Sequence, residues 1–241
     1  MLFIYPQKVC VRIVVCVKRN LLTDTYIWNM DHYQETFNIW NKLAARYQAM
    51  FMDLDIYHHS YDYFCGQLGE TAKVLELGCG PGNITRYLLQ QRPSWQVLAT
   101  DVAPAMVELA AAANPSAECR VLDCREVAHL PVTFNGIVIG FCMPYLTETD
   151  NRQLMRDCFG LLEDAGLLYL SFVPGAQDRS GYQTGSSGDR LYFHYYPLEV
   201  VQEMLLQAGF VLLQDFSIAF QRSGGEVETH MVLVAQKKTL G

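Results

Sequence analysis

The sequence predicts an α/β fold: one doubly wound sheet of seven strands, mostly parallel, with its last strand antiparallel. Three observations predict it. From Val74 onward, short apolar runs alternate with segments of helical periodicity, the pattern of a parallel sheet with crossover helices. The first run, Val74-Leu75-Glu76-Leu77, ends in a turn carrying Gly78, Gly80 and Gly82, followed by a helical pattern from about Ile84. The last two runs, near 210–220 and 229–236, are joined through Ser223-Gly224-Gly225 with no helix between them, which reads as an antiparallel hairpin.

Each element has its own signal. Residues 36–49 and 51–68 read as helices that precede the sheet; Phe51, Leu54, His58, Tyr61, Cys65 and Leu68 recur three or four positions apart in one stripe. A helix over 83–91 follows the glycine turn, then a strand at 96–100. An alanine-rich helix over 104–113 opens with Pro104, which suits a first helical turn. Strands are expected near 120–122 and 135–140. Thr147 with Asp150 resembles an N-cap pair opening a helix to Asp164, with Gly166 as its C-cap. A fifth strand runs from Leu167 to Phe172. The segment 174–196 is a long Gly-, Ser- and Tyr-rich insertion whose aromatic end, Tyr192 to Tyr196, argues for a lid. Pro197 opens a helix to Ala208, capped by Gly209.

The glycine turn places bare backbone at the C-terminal edge of the sheet, where open α/β sheets bind ligands. Its spacing is G-x-G-x-G, not the G-x-G-x-x-G that holds a pyrophosphate, and Asn83 stands where that pattern needs its third glycine. Glu76 would repel a phosphate but attract an amino or sulfonium group. Asp101 ends the second strand about twenty positions beyond Gly82, the placing of an acid that accepts from a ribose diol. Asp123 and Cys124 end the third strand, where a polar residue can read an adenine edge. Read singly, these residues also fit a tight turn, a helix N-cap (Asp101) and a solvated loop acid (Asp123).

These motifs, in this order, resemble the class I S-adenosylmethionine-dependent methyltransferases of the small-molecule type 11/25 kind. The run Glu76 to Gly82 matches that family's first motif, and Phe134 to Phe141 resembles its fourth-strand motif, with Asn135 where Asp is more usual. The resemblance covers roughly Trp40 to Ala235. It implies a Rossmann-like fold and S-adenosylmethionine as cofactor. It implies a cofactor site of Tyr47, Glu76, Gly78, Cys79, Gly80, Gly82, Asp101, Val102, Met106, Asp123, Cys124 and Phe141. Tyr47, in Ala44-Ala45-Arg46-Tyr47, is equally readable as core packing.

Composition narrows the class further. The 241 residues suffice for one sizeable domain. The net charge of −7 and the lack of a basic stripe count against nucleic acid as substrate. The eight cysteines form no C-x-x-C pair and sit among apolar neighbours, which fits free thiols in a reducing cytoplasm. Val9 to Val17 is apolar but interrupted by Arg12, and too short to span a membrane. Residues 1–29 are therefore expected to be an upstream extension outside the fold, consistent with a misplaced start codon, and residues 30–241 the methyltransferase domain.

Methyl transfer from a sulfonium requires alignment and exclusion of water; a base is needed only for a poor nucleophile. No metal is needed, and His58 and His59 do not converge on a helix. The sequence dictates no catalytic residue. Tyr145, His194 and Tyr195, with Tyr196, are candidates to line the acceptor site, and His194 is a candidate base. Packing within the aromatic cluster is the favoured reading of His194. Cys142-Met143-Pro144-Tyr145 departs from the polar-Pro-Pro-aromatic motif of DNA amino-methyltransferases, so a small, partly apolar metabolite is the expected acceptor. A non-catalytic cofactor- or partner-binding module is the alternative, and a nicotinamide-dependent oxidoreductase a distant third.

Overall fold

The computed structural model describes residues 21–184, 188–222 and 224–238. Its elements, in chain order, are α1 (Leu21–Phe51), α2 (His58–Gln67), β1 (Lys73–Leu77), α3 (Asn83–Gln91), β2 (Gln96–Asp101), α4 (Pro104–Ala113), β3 (Glu118–Val121), β4 (Phe134–Gly140), α5 (Glu148–Leu161), β5 (Leu162–Phe172), β6 (Gly181–Thr184), β7 (Arg190–Phe193), α6 (Leu198–Ala208), β8 (Phe210–Gln221) and β9 (Val227–Lys237).

The main sheet has seven strands in the order β3-β2-β1-β4-β5-β9-β8. Strands β1 to β5 are parallel; β9 runs antiparallel to both neighbours. The fold is the expected one. The chain winds outward from β1 in one direction and from β4 in the other, so the crevice between them is the topological switch point.

Strand alternation divides the core. Leu75, Leu77, Ile137, Ile139, Leu168 and Leu170 face α5 and α6, meeting Leu154, Met155, Val201 and Met204. Val74, Val97, Ala99, Val138 and Tyr169 face the other way, onto Phe64 of α2 and Leu88 of α3. Both faces of the parallel strands are thereby covered, as such sheets require.

Several boundaries differ from expectation. Residues 1–20 of the expected extension lie outside the described residues, whereas 21–29 form helical backbone continuous with the rest of α1. The second helix begins at His58 rather than 51: residues 52–57 form turns in which Leu54 donates to Phe51 O and His58 to Asp55 O. Asp53 there pairs with Arg86 of α3 at 2.7 Å, which anchors the turn. Helix α5 ends at Leu161, and Gly166 is not its cap. Ala165 takes the left-handed conformation (φ 59°). Gly166 is needed for space, since a Cβ there would sit 2.8 Å from Glu163 O. Thr147 does cap α5, accepting from Asp150 N, and Gly209 (φ 101°) does terminate α6. Asn135, the departure in the fourth-strand motif, accepts from the backbone N of Lys73 at 2.8 Å and so ties β4 to the start of β1.

Candidate active site

A cavity of about 660 Å³ opens at the C-terminal ends of β1, β2 and β4. Its floor is the glycine loop. Gly78, Gly80 and Gly82 all have positive φ (69°, 53° and 84°), which side-chain-bearing residues rarely adopt. Gly82 has a second constraint: a Cβ there would fall 2.4 Å from Asn114 Nδ2 and 3.0 Å from Ala110 Cα of α4. It serves helix–helix packing at the N-terminus of α3, while Gly78, Cys79 and Gly80 line the cavity.

Asp101 locks this loop to β2. Its Oδ2 accepts from Gly80 N and its Oδ1 from Ala103 N, both at 2.9 Å, and the carboxylate lines the cavity with lone pairs to spare. Burial raises its pKa, against the backbone donors of Ala103, Gly80 and Val102. Asp123 is clamped by Arg125, whose Nε donates at 3.0 Å and Nη2 at 2.5 Å. Burial pushes the Asp123 carboxyl up, but the Arg125 donors outweigh it and hold the pKa below its ordinary value. The Arg125 guanidinium also lies 3.9 Å over the ring of Tyr33. Val102, Met106, Cys124 and Phe141 line the same end, and Cys124 Sγ lies 3.7 Å from Cys142 Sγ.

Glu76 is placed differently from expectation. It does not reach the cavity wall; it is 1% exposed on the α3 side of β1, where Thr85 Oγ1 donates to its Oε2. Its Oε1 has no hydrogen-bond partner among the described residues. Burial drives its pKa up to about 8, opposed by the Thr85 hydrogen bond and reinforced by Asp101.

The other end of the cavity is aromatic. Tyr47 lies against Gly80 and packs edge-on to Trp40 at 5.4 Å. Trp40 also packs edge-on to Tyr145, and Tyr145 to Phe193 of β7. Burial raises the Tyr47 pKa to about 12 and raises that of Tyr145 further. Tyr145 lines the cavity as expected.

His194 and Tyr195 do not line it: alternation sends Phe193 inward and His194 away, and Tyr195, beyond the end of β7, packs against Gly175 instead. His194 donates its backbone N–H to Pro144 O at 2.8 Å, and its half-buried ring lies between a tilted Tyr192 and a parallel Tyr196. Tyr195 is buried beside Gly175, under the Arg179 guanidinium. Tyr196 is likewise buried and donates to Leu146 O. The expected lid is a two-stranded β6–β7 hairpin lying along α1: Tyr192 stacks on His32 at 4.6 Å, and Asp189 pairs with Lys42 at 2.8 Å.

Sequence reasoning missed the group supplied by the β8–β9 hairpin. Arg222, Glu228, His230 and Phe220 line the cavity together with Tyr57, which precedes α2. Tyr57 Oη lies 2.5 Å from His230 Nδ1, and His230 Nε2 lies 3.3 Å from Glu228 Oε2. Glu228 is gripped by Arg222 through two hydrogen bonds. A signal was available: Glu228 and His230 sit two apart at the start of a strand, and so share one face.

Among the described residues no group of three or more His, Cys, Asp or Glu side chains could hold a metal ion, and no helix is long and apolar enough to cross a membrane. His58 packs on Tyr87 and His59 on Phe216. The donor set fits a cationic nucleoside. The wall offers Asp101 and spare backbone, an unpaired carboxyl oxygen lies just beneath, and both guanidinium groups in the wall are already paired with carboxylates.

A family profile described as a methyltransferase domain matches residues 74–166. Trans-aconitate 2-methyltransferase of Variovorax paradoxus is 32% identical over 111 residues, which is 46% of this chain and 42% of that protein. Malonyl-[acyl-carrier protein] O-methyltransferase of a Paenibacillus species is 33% identical over 110 residues, 42% of this chain and 39% of that protein. The chain thus matches about two fifths of the length of these relatives. Among solved structures, a DhpI-SAH complex superposes with a TM-score of 0.66 at 14% identity, covering 86% of this chain and 97% of that one, a likeness of fold.

Proposed function

Because the chain belongs to the class I S-adenosylmethionine-dependent methyltransferases, we propose that it transfers a methyl group directly to a small-molecule acceptor held in the cavity above the glycine loop. The observation that carries this reading is the continuity of the cavity. One space joins the backbone of Gly78 to Gly80 and the carboxylate of Asp101 to an aromatic wall built on Trp40 and Tyr145. Its volume lies within the roughly 300–1,000 Å³ of small-molecule sites.

In this reading Asp101 takes the ribose diol, Asp123 and Cys124 border the adenine, and the Gly78–Gly80 backbone with Tyr47 encloses the amino-acid end. Glu76, protonated in the fold at neutral pH, braces the loop from beneath by accepting from Thr85 of α3. The bound cofactor supplies a methyl group activated by a cationic sulfur. The chain's own residues align the acceptor and exclude water, with the 174–196 insertion closing the site over α1. The names of the relatives, trans-aconitate 2-methyltransferase and malonyl-[acyl-carrier protein] O-methyltransferase, support a non-nucleic-acid acceptor, and a cytoplasmic location suits the free thiols.

Calorimetric titration with S-adenosylmethionine, S-adenosylhomocysteine and NAD tests this. Micromolar binding of the first two without the third is expected. Binding of none would leave a non-catalytic module, and binding of NAD alone would mean that the glycine loop serves another cofactor.

A further inference from the structure

The acceptor end of the cavity holds a hydrogen-bonded chain that cofactor binding leaves unexplained. Tyr57 Oη, His230 and Glu228 are in series, at 2.5 Å and 3.3 Å, and all three residues line the cavity. With the imidazole proton on Nε2, His230 donates to Glu228 and its Nδ1 accepts from the Tyr57 hydroxyl. Glu228 is in turn oriented by Arg222, at 2.6 Å and 3.1 Å. The rings around the chain fix its geometry. Phe220 stacks on His230 at 4.7 Å, and Phe141 meets both His230 (5.0 Å) and Tyr57 (5.4 Å) edge-on. Phe141, directly after β4, lies in the left-handed region (φ 53°), a strained conformation of the sort concentrated at functional sites.

We propose that Tyr57, His230 and Glu228 form a proton relay that deprotonates the hydroxyl of a phenolic acceptor, which makes the protein an O-methyltransferase. This rests on the methyl-transfer reading above. A relay of this kind is superfluous for an acceptor that is already an anion or a free amine; it serves a nucleophile that must lose a proton in the transition state. The step balances. The acceptor's O–H proton passes to Tyr57 Oη, and Tyr57's own proton passes to His230 Nδ1. The acceptor oxygen takes the methyl group as the carbon–sulfur bond breaks, leaving a neutral thioether. The imidazolium, faced by Glu228, later returns its proton to solvent.

The walls select the rest of the acceptor. Trp40, Tyr145, Phe193 and Phe220 present ring faces and edges to the cavity, which suits a flat, apolar body. Both guanidinium groups in the wall, Arg125 and Arg222, are committed to Asp123 and Glu228, so a carboxylate acceptor would find no cation already free there. Burial lowers the pKa of His230, with Glu228 opposing and Arg222 assisting, so the imidazole is neutral and able to accept at neutral pH. Burial raises that of Tyr57, so the phenol passes a proton on rather than standing ionised.

The test uses the full chain, a series of simple substituted phenols of graded acidity, and one primary amine. Affinity for S-adenosylmethionine is measured separately by calorimetry. In the wild type, methylation of the phenols should depend weakly on their acidity. In Tyr57→Phe and His230→Gln, rates should fall roughly 10²–10⁴-fold for the least acidic phenols and much less for the most acidic, which need no base. Cofactor affinity should be unchanged. The second readout is spectroscopic: 4-nitrophenol bound with S-adenosylhomocysteine should ionise at lower pH in the wild type than in Tyr57→Phe. Glu228→Gln should shift the acid limb of the rate profile to lower pH, because it removes the charge that favours the imidazolium. Equal losses across all phenols would overturn the relay, as would methylation of the amine alone. Cofactor binding without turnover of any phenol would overturn the acceptor class while leaving the methyltransferase reading intact. Absence of cofactor binding would remove that reading itself.

Discussion

At one end of the cavity the wall is largely main chain and short side chains from a single stretch, Gly78 to Arg125. At the other it is long side chains from five separate segments: α1, the turn and α2 start around Tyr57, the loop after β4, the β6–β7 hairpin and the β8–β9 hairpin. The first end is held by backbone hydrogen bonds, such as Cys79 N to Thr100 O at 2.9 Å and Gly82 N to Cys79 O at 3.0 Å. The second is held by ring packing and by the Arg222–Glu228 clamp. A cofactor common to a family can be met by backbone geometry, whereas an acceptor particular to one protein is met by side chains that can change without disturbing the sheet.

The largest effect expected from this contrast is at Gly82. Valine there would add left-handed strain of about 1–3 kcal/mol and a clash with Ala110 and Asn114 costing a further ~1–3 kcal/mol. Chemical denaturation of Gly82→Val should show that loss. Wild-type stability would mean that the α3–α4 contact yields easily and that the loop does not depend on backbone alone.

Glu76 gives the next largest effect, and one with a pH signature. Its folded pKa, about 8, lies above its unfolded value, near 4.5. The folded state therefore retains a proton that the unfolded chain releases. The associated stability is full below the unfolded pKa and is lost as pH rises through about 8, by on the order of 1 kcal/mol per pH unit within that window. Glu76→Gln, which keeps the hydrogen bond from Thr85, should remove that fall, so its advantage over the wild type should grow between pH 5 and 8. Parallel melting curves with pH would decide; two profiles of the same shape would mean that Glu76 is ionised when folded.

Asp101→Ala should weaken S-adenosylmethionine binding by about 1–3 kcal/mol, the scale of a hydrogen bond to a charged group. Near-UV circular dichroism is the control, since Asp101 also receives Gly80 N and Ala103 N. Unchanged affinity in a folded variant would detach Asp101 from the cofactor.

The same contrast explains what the sequence made legible. The positions of the strands, the glycine turn, Asp101 and the helices α3, α4 and α6 follow from local periodicity and turn chemistry, because the responsible residues are neighbours in the chain. The site residues that lay within this stretch reached the cavity, apart from Glu76 and Gly82, which alternation and helix packing turn beneath it. The acceptor end was read poorly. His194 and Tyr195 were singled out for their chemistry, but the pairing of β6 with β7 decides which side of the strand faces α1, and Phe193 is the residue that enters. His230 and Glu228 reach the cavity because β9 runs antiparallel beside β5 and carries its first residues to the sheet's C-terminal edge; their spacing shows a shared face, but not which neighbour β9 pairs with.

The smallest effects are expected where the hairpin meets α1, and they separate two kinds of contact within one interface. Tyr192 stacks on His32, and Lys42 reaches Asp189 from a side chain that is 64% exposed. An exposed ion pair is worth about 0–1 kcal/mol and is screened by salt, whereas an aromatic pair contributes about 0.5–1.5 kcal/mol beyond the area it buries. Tyr192→Ala should therefore speed amide hydrogen exchange in β6 and β7 clearly, and Lys42→Ala only slightly, with the Lys42 effect vanishing at high salt. Neither should alter cofactor affinity if the hairpin serves the acceptor end alone. A Lys42 effect as large as that of Tyr192, or a loss of S-adenosylmethionine binding in either variant, would show that the two ends of the cavity are coupled through α1, where Tyr47 and Trp40 stand one turn and a few residues from the hairpin's anchors.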